Sequence, residues 1–234
     1  MAPGTDANPS KPFWPQRLLA ALVPLVLLLS SIRLLLTPGF LEWEYRSPGF
    51  PADSYGFSTE DRLHWAPFAL ADILEARPSS FLADLKFEDG TPAFNEREVG
   101  HMEDVRRLTQ AALKLWAAAC VIAAGAGIWI ANEMGVGPLA VSLRSGARAT
   151  FFIMIGLGLL VALGFPLFFL GFHRLFFQGD TWLFLYSDTL IRLFPIRFWR
   201  DASIGLAALT LGSSGALYLA MGAVLRTSPL RPSR

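Results

Sequence analysis

"ATFFIMIGLGLLVALGFPLFFLGF", Ala149 to Phe172, runs for 24 residues without a charged side chain. A helix rises 1.5 Å per residue, so roughly 20 residues cross a hydrocarbon core of about 30 Å, and the stretch reads as a membrane span. Three more stretches are long and apolar enough: Arg17–Leu36, Leu108–Ala131 and Ser203–Leu225. Composition agrees, since 53% of the 234 residues are hydrophobic and the mean hydropathy is +0.43, too apolar for an ordinary soluble domain. The expected fold is an all-α integral membrane protein with four transmembrane helices. Residues 17–36 exceed the apolar core of a signal peptide, and Thr37-Pro38-Gly39 lacks the small-x-small cleavage pattern, so this stretch is kept as a helix. The one cysteine, Cys120, excludes an internal disulfide and reads as a small apolar residue of the second span.

The connections give the orientation. Residues 1–16 with the start of the first helix, the 132–148 connection and the 226–234 tail carry Lys11, Arg17, Arg144, Arg148, Arg226, Arg231 and Arg234 against only Asp6 and Glu133. The positive-inside rule then places both termini in the cytoplasm and the 37–107 and 173–202 connections outside. Residues 37–107 mix aromatic, aliphatic and charged side chains, which predicts a folded extracytoplasmic cap between helices 1 and 2. It opens with "GFLEWEYRSPGFPADSYGF", Gly39 to Phe57, where Trp43, Tyr45 and Tyr55 suit an interfacial aromatic belt. "STED" at Ser58–Asp61 then caps a helix whose apolar positions are Leu63, Ala66, Leu70, Ile73 and Leu74. Residues 173–202 are apolar yet contain Asp180, Asp188, Arg192 and Arg197, costly groups for a span, so they are expected to lie along the outer interface between helices 3 and 4. Asp188 and Arg192, at i and i+4, are expected to pair on a short helix that Pro195 ends.

The chain has three histidines. In "FNEREVGHMEDVRRLTQ", Phe94 to Gln110, helical spacing sets Glu98 and Asp104 one turn to either side of His101, where a carboxylate can fix the tautomer of an imidazole. His173 follows Arg148 by 25 residues, about 37 Å of straight helix, which is the outer headgroup level. His101 precedes Leu108 by seven residues and emerges at the same face. The plainer readings are a solvated helix for His101 and an interfacial ring for His173.

Three segments carry a family resemblance: "EYRSPGFPADSYGFSTEDR" (44–62), "EREVGHMEDVRRL" (96–108) and "GFHRLFFQGDTWLFLYSDTLIRLFPIRFW" (171–199). Over residues 40–202 the chain resembles the four-helix bacterial membrane proteins that include the lipoprotein intramolecular transacylases. The resemblance implies an enzyme of the bacterial plasma membrane, with its site at the outer face and no cofactor or metal. Its partners would be membrane lipid and diacylglyceryl-modified lipoproteins, with no nucleic acid. The reaction would move the sn-2 acyl chain from the glycerol ester to the α-amine of the same lipid-bearing cysteine, giving a lyso-form lipoprotein. The catalytic histidines map onto His101 and His173, and a supporting tyrosine onto Tyr186 at the outer face or Tyr218 in the last helix. Chemically, an α-amine of pKa about 8 needs a base before it attacks an ester, and His173 suits that task. His101, steadied by Glu98 or Asp104, would position the substrate or complete the relay. Arg192, near Asp188, or backbone N–H groups would stabilise the oxyanion.

Other classes are weighed on the same residues. A metal hydrolase using His64, His101 and His173 lacks H-E-x-x-H or any comparable pair on one helix. A transporter would carry ionisable groups at mid-membrane, and the spans lack carboxylates there. A non-enzymatic membrane scaffold that uses the cap for protein contacts stays open as the alternative, and nothing in the sequence fixes the oligomeric state.

Overall fold

The computed structural model describes residues 13–227 apart from 76, 79 and 178. It is helical, with α1 Trp14–Leu35, α2 Pro38–Tyr45, α3 Thr59–Leu74, α4 Glu96–Glu133, α5 Val136–Leu163, α6 Phe165–Phe176, α7 Thr189–Leu193 and α8 Ile196–Thr227. An isolated bridge between Lys86 and Pro92 is the one β pairing among the described residues. Four helices are long and apolar enough to span a membrane: α1, α4, α5 and α8.

In lipid there is no hydrophobic incentive for helices to associate, so small residues and hydroxyl groups set the contacts. α1 touches each of the other three spans, and α5 packs most extensively against α8 and α1. On α5, Ser142, Gly146, Thr150 and Met154 form a buried stripe at i+4 spacing. A Cβ on Gly146 would lie 2.6 Å from Val23 Cβ and 2.7 Å from the Ala20 carbonyl, so only glycine permits this approach to α1. Ser214 Oγ of α8 donates to the Ala147 carbonyl of α5 (2.7 Å), and Trp116 Nε1 of α4 to Ser30 Oγ of α1 (2.9 Å). α4 turns into α5 through Gly135, whose φ of 92° is in the left-handed region that favours glycine.

The third apolar stretch departs from the single helix expected over 149–172. α5 starts at Val136, inside the segment expected as a loop, and ends at Leu163. Pro166 has no N–H for the carbonyl four residues earlier and its ring would strike it, so the helix stops, Gly164 runs extended, and α6 begins with Phe165 and Pro166 in its first turn. Arg144 therefore lies on α5, where its guanidinium donates to Tyr218 OH (2.9 Å) and covers the ring at 4.3 Å. Gly222 lies beside Arg144, so the start of α5 and the end of α8 share one end of the bundle. Arg17, Arg148 and Arg226 are exposed on α1, α5 and α8. Asp6, Lys11, Arg231 and Arg234 of the expected tails lie outside the described residues.

The cap has its own core. Leu41 and Tyr45 of α2, Ala66, Leu70 and Ile73 of α3, Leu82 and Phe94 of the linking segment, and Met102 of α4 are buried together with Leu190, Leu193 and Phe198. Ser58 and Asp61 form the expected capping box at the start of α3, and Asn95 with Glu98 forms another for α4. Two expectations change here. Tyr45 is no belt residue, being buried with its OH on the Leu193 carbonyl (3.0 Å), whereas Trp43 and Tyr55 are exposed. In the outer segment Leu190, Leu193 and Phe198 turn inward and complete the cap core, while Ile196 is exposed. The Asp188–Arg192 pair does not form. Arg192 Nε bonds Asp53 (2.9 Å) and its guanidinium sits 3.4 Å from the Phe57 ring centroid, while Asp188 accepts from Leu185 N (2.8 Å) and Asn95 Nδ2 (3.1 Å).

Candidate active site

α4 carries His101 in the part that stands in the cap, before the helix enters the bundle, and α6 carries His173 in its last turn. The two elements bring the rings together, with centroids 6.0 Å apart and planes at 20°. Aromatic side chains wall the pair. Phe177 lies 4.9 Å from His101 and 5.4 Å from His173, Phe184 lies 5.3 Å from His101, and Phe169 and Trp182 lie 4.1 and 5.2 Å from His173.

The hydrogen bonds assign the protons. His173 Nδ1 is 2.8 Å from the carbonyl of Phe169, one turn back on α6. A carbonyl only accepts, so Nδ1 carries the hydrogen and Nε2 keeps its lone pair. His101 Nδ1 is buried and bonds nothing among the described residues. Burial pushes the His101 imidazole down to about 4, with His173 adding to the effect and Asp104 opposing it. Burial also lowers His173, against a contrary contribution from its bond to Phe169. Both rings are held towards the neutral form.

The expected supporting groups are employed elsewhere. Glu98 is 1% exposed and bonds Leu190 N through Oε1 (2.6 Å) and Asn95 N through Oε2 (2.8 Å), which fastens α7 to the start of α4 instead of steadying His101. Burial raises its carboxyl above the usual range. Asp104 pairs with Arg107 (2.9 Å). Arg192 and Asp188 serve the cap contacts described above. Tyr186 is 80% exposed, and Tyr218 is at the arginine end of the bundle. What the sequence concealed was the Phe169 carbonyl and the aromatic walls; the i, i+4 spacing of Phe169 and His173 was their one visible signal. Among the described residues no group of three or more His, Cys, Asp or Glu side chains is placed to hold a metal ion.

Comparison with known proteins gives this geometry a family. Residues 17–199 match the family model described as lipoprotein intramolecular transacylase Lit. A protein of Aquifex aeolicus (strain VF5), described as uncharacterized, is 32% identical over 193 residues, 82% of this chain and 86% of that one. The structure of the membrane integral lipoprotein intramolecular transacylase Lit from Bacillus cereus matches with a TM-score of 0.75 at 19% identity, covering 92% of this chain and 97% of that one. Structures of the same protein with one histidine replaced by arginine or by alanine match with TM-scores of 0.71. The structural likeness establishes the fold, and the family match spans both histidine segments: the chain belongs to the lipoprotein intramolecular transacylase family.

Proposed function

We propose that His173 is the general base and neutral His101 the carbonyl-holding group of an acyl transfer at the outer face of the bacterial plasma membrane. As a member of its family the chain is a membrane enzyme, a lipoprotein intramolecular transacylase. The observation that carries the residue assignment is the stacked pair of imidazoles, half-buried His173 with its proton fixed on Nδ1 and buried His101 with Nδ1 unpartnered. The neutral α-amine of the lipid-bearing cysteine attacks the sn-2 ester carbonyl. A C–N bond forms, His173 Nε2 takes the amine proton, and the carbonyl oxygen becomes an oxyanion that accepts from His101 Nδ1–H. As the ester C–O bond breaks, His173 returns its proton to the glycerol oxygen. One amide replaces one ester, a glycerol hydroxyl is freed, and both histidines are as they began.

Three features favour this over hydrolysis. The aromatic walls limit water at the rings. Amine and ester belong to one molecule, so orientation supplies a large share of the rate. A neutral His101 donates a hydrogen bond without first binding a proton, as its low pKa requires. A scaffold leaves the unpartnered buried nitrogen without a purpose, at a desolvation cost of roughly 1–3 kcal/mol. The orientation rests on Arg17 and Arg226, exposed near the ends of α1 and α8 that lie away from the cap. Expression in a bacterium whose lipoproteins carry only the diacylglyceryl group should convert them to the lyso-form, read by mass spectrometry of the N-terminal peptide. Unaltered diacylglyceryl-cysteine in the presence of inserted protein refutes the reading.

A further inference from the structure

We infer that the polypeptide following the lipid-bearing cysteine of the substrate docks along residues 181–185 and into a cleft around Arg97. This rests on the acyl-transfer reading above and extends it from the lipid to the peptide. Along 181–185 burial alternates: Thr181, Leu183 and Leu185 are exposed, whereas Trp182 and Phe184 are half-buried. The inward pair lies against the histidines, Trp182 5.2 Å from His173 and Phe184 5.3 Å from His101. The outward residues line two open cavities that share Arg97, one of about 510 Å³ beside Leu185 and one of about 390 Å³ beside Leu183. Residues 183–185 run extended between turns at 179–182 and 186–187, with Phe184 inward and Leu183 and Leu185 outward, so a single thickness of polypeptide separates the histidine rings from the cleft.

The backbone supplies a second, independent reason. In extended chain the N–H and C=O of one residue point to one edge and those of its neighbours to the other. The edge of Leu183 and Leu185 is taken: Leu183 N–H donates to the Asp180 carbonyl, Arg97 Nη1 donates to the Leu183 carbonyl (3.0 Å), and Leu185 N–H donates to Asp188 Oδ2 (2.8 Å). The N–H and C=O of Phe184 bond nothing among the described residues. An extended substrate backbone laid beside Phe184 completes them, as in strand addition. Its side chains then divide as those of the segment do. The cysteine, with its diacylglyceryl group, falls on the histidine side, and the next residue falls on the Arg97 side. Leu183 and Leu185 offer that residue apolar contact, and Glu96, Asp180 and Asp188 outnumber Arg97, so neutral or basic peptides are favoured over acidic ones.

The test uses the full-length enzyme in nanodiscs with two substrates, diacylglyceryl-Cys-Ser-Ser-Gly-Ser and diacylglyceryl-cysteine N-methylamide. The KM of the peptide should be roughly tenfold below that of the methylamide, and Leu185→Asp or Arg97→Ala should each bring the ratio towards one. A ratio of one in the unaltered enzyme, or variants that shift both KM values equally, overturns the proposal. Photocrosslinking separates it from the catalytic reading. The same peptide with benzoylphenylalanine as its second residue should attach within 181–185 or 95–97. Attachment there without turnover keeps the cleft and removes the transacylase reading; turnover with attachment elsewhere keeps that reading and removes the cleft.

Discussion

At the scale of single residues, the proposed chemistry depends on which nitrogen of each imidazole is free. His173 spends Nδ1–H on the Phe169 carbonyl, which aims its lone pair from Nε2 and leaves it a base with no proton to shed first. His101 is held neutral by burial and keeps Nδ1 unspent. Glutamine keeps the size and the hydrogen bonding of histidine but accepts no proton near neutrality. His173→Gln should therefore lower lyso-lipoprotein formation by about 10²–10⁴-fold, the usual contribution of a general base, with normal abundance in the membrane. Turnover close to that of the unaltered enzyme, read by mass spectrometry of the N-terminal peptide, would make His173 a structural hydrogen-bonding residue. The sequence brought both histidines to one surface by counting residues from the ends of two spans. It misassigned Glu98 to His101 and Asp188 to Arg192, since a carboxylate bonds whichever N–H the fold delivers, and Leu190 is 92 residues from Glu98.

At the scale of elements, two joints decide where these residues sit. The first is the break between α5 and α6. An uncharged stretch of 24 residues reads as one span because hydropathy says nothing of backbone continuity; Pro166 was the visible sign that it is not one. Separated from α5, α6 is free to turn His173 towards α4. Restoring helix propensity with Gly164→Ala and Pro166→Ala together should fuse α5 and α6 and move the ring. A Cβ at 164 meets only Leu167, at 3.5 Å or more, so the chain tolerates the change sterically. Activity should fall at least tenfold with insertion intact, and full activity would show that the break does not position the base. The second joint ties α2 to α8. Glu44 is 0% exposed, its oxygens bond nothing among the described residues, and it lies near Asp201, which Arg197 and Arg200 each contact at 3.0 Å. Burial above all, then the Asp201 charge, raises the Glu44 carboxyl from 4.5 to about 7. Its proton is thus held more tightly in the folded state, and the stability this confers is complete below pH 4.5 and lost as pH rises through 7. Glu44→Gln removes that dependence. Variant and unaltered protein should unfold at similar temperatures at pH 4.5, and the variant at the higher temperature at pH 8; equal unfolding temperatures at both pH values would mean the carboxylate is accommodated by Arg197.

At the scale of the whole molecule, a membrane domain and a cap are joined by continuous helix. Four spans, the capping box of α3 and the run of α4 from cap into bundle were legible because each depends on local pattern: length, charge and 3.6-residue periodicity. The cap core was not, because Tyr45 meets Leu193 and Asp53 meets Arg192 across 148 and 139 residues, pairings that no local pattern encodes. The arrangement makes a demand on topology. The cap and both histidines are at one end of the bundle, and exposed Arg17 and Arg226 are near the ends of α1 and α8 away from it. If the arginines face the cytoplasm, the rings face the leaflet into which exported lipoproteins are anchored; if the bundle is inverted, substrate and base lie on opposite sides. With Cys120 replaced by alanine, single cysteines at Ser80 in the cap and at Asn132 beside the α4–α5 turn report each end, both positions being exposed. On intact spheroplasts an impermeant thiol reagent should label the cap cysteine and spare the turn cysteine, and detergent should open the second to labelling. The reverse pattern would remove the outer-face site, since a base behind about 30 Å of hydrocarbon has no route to an ester in the far leaflet.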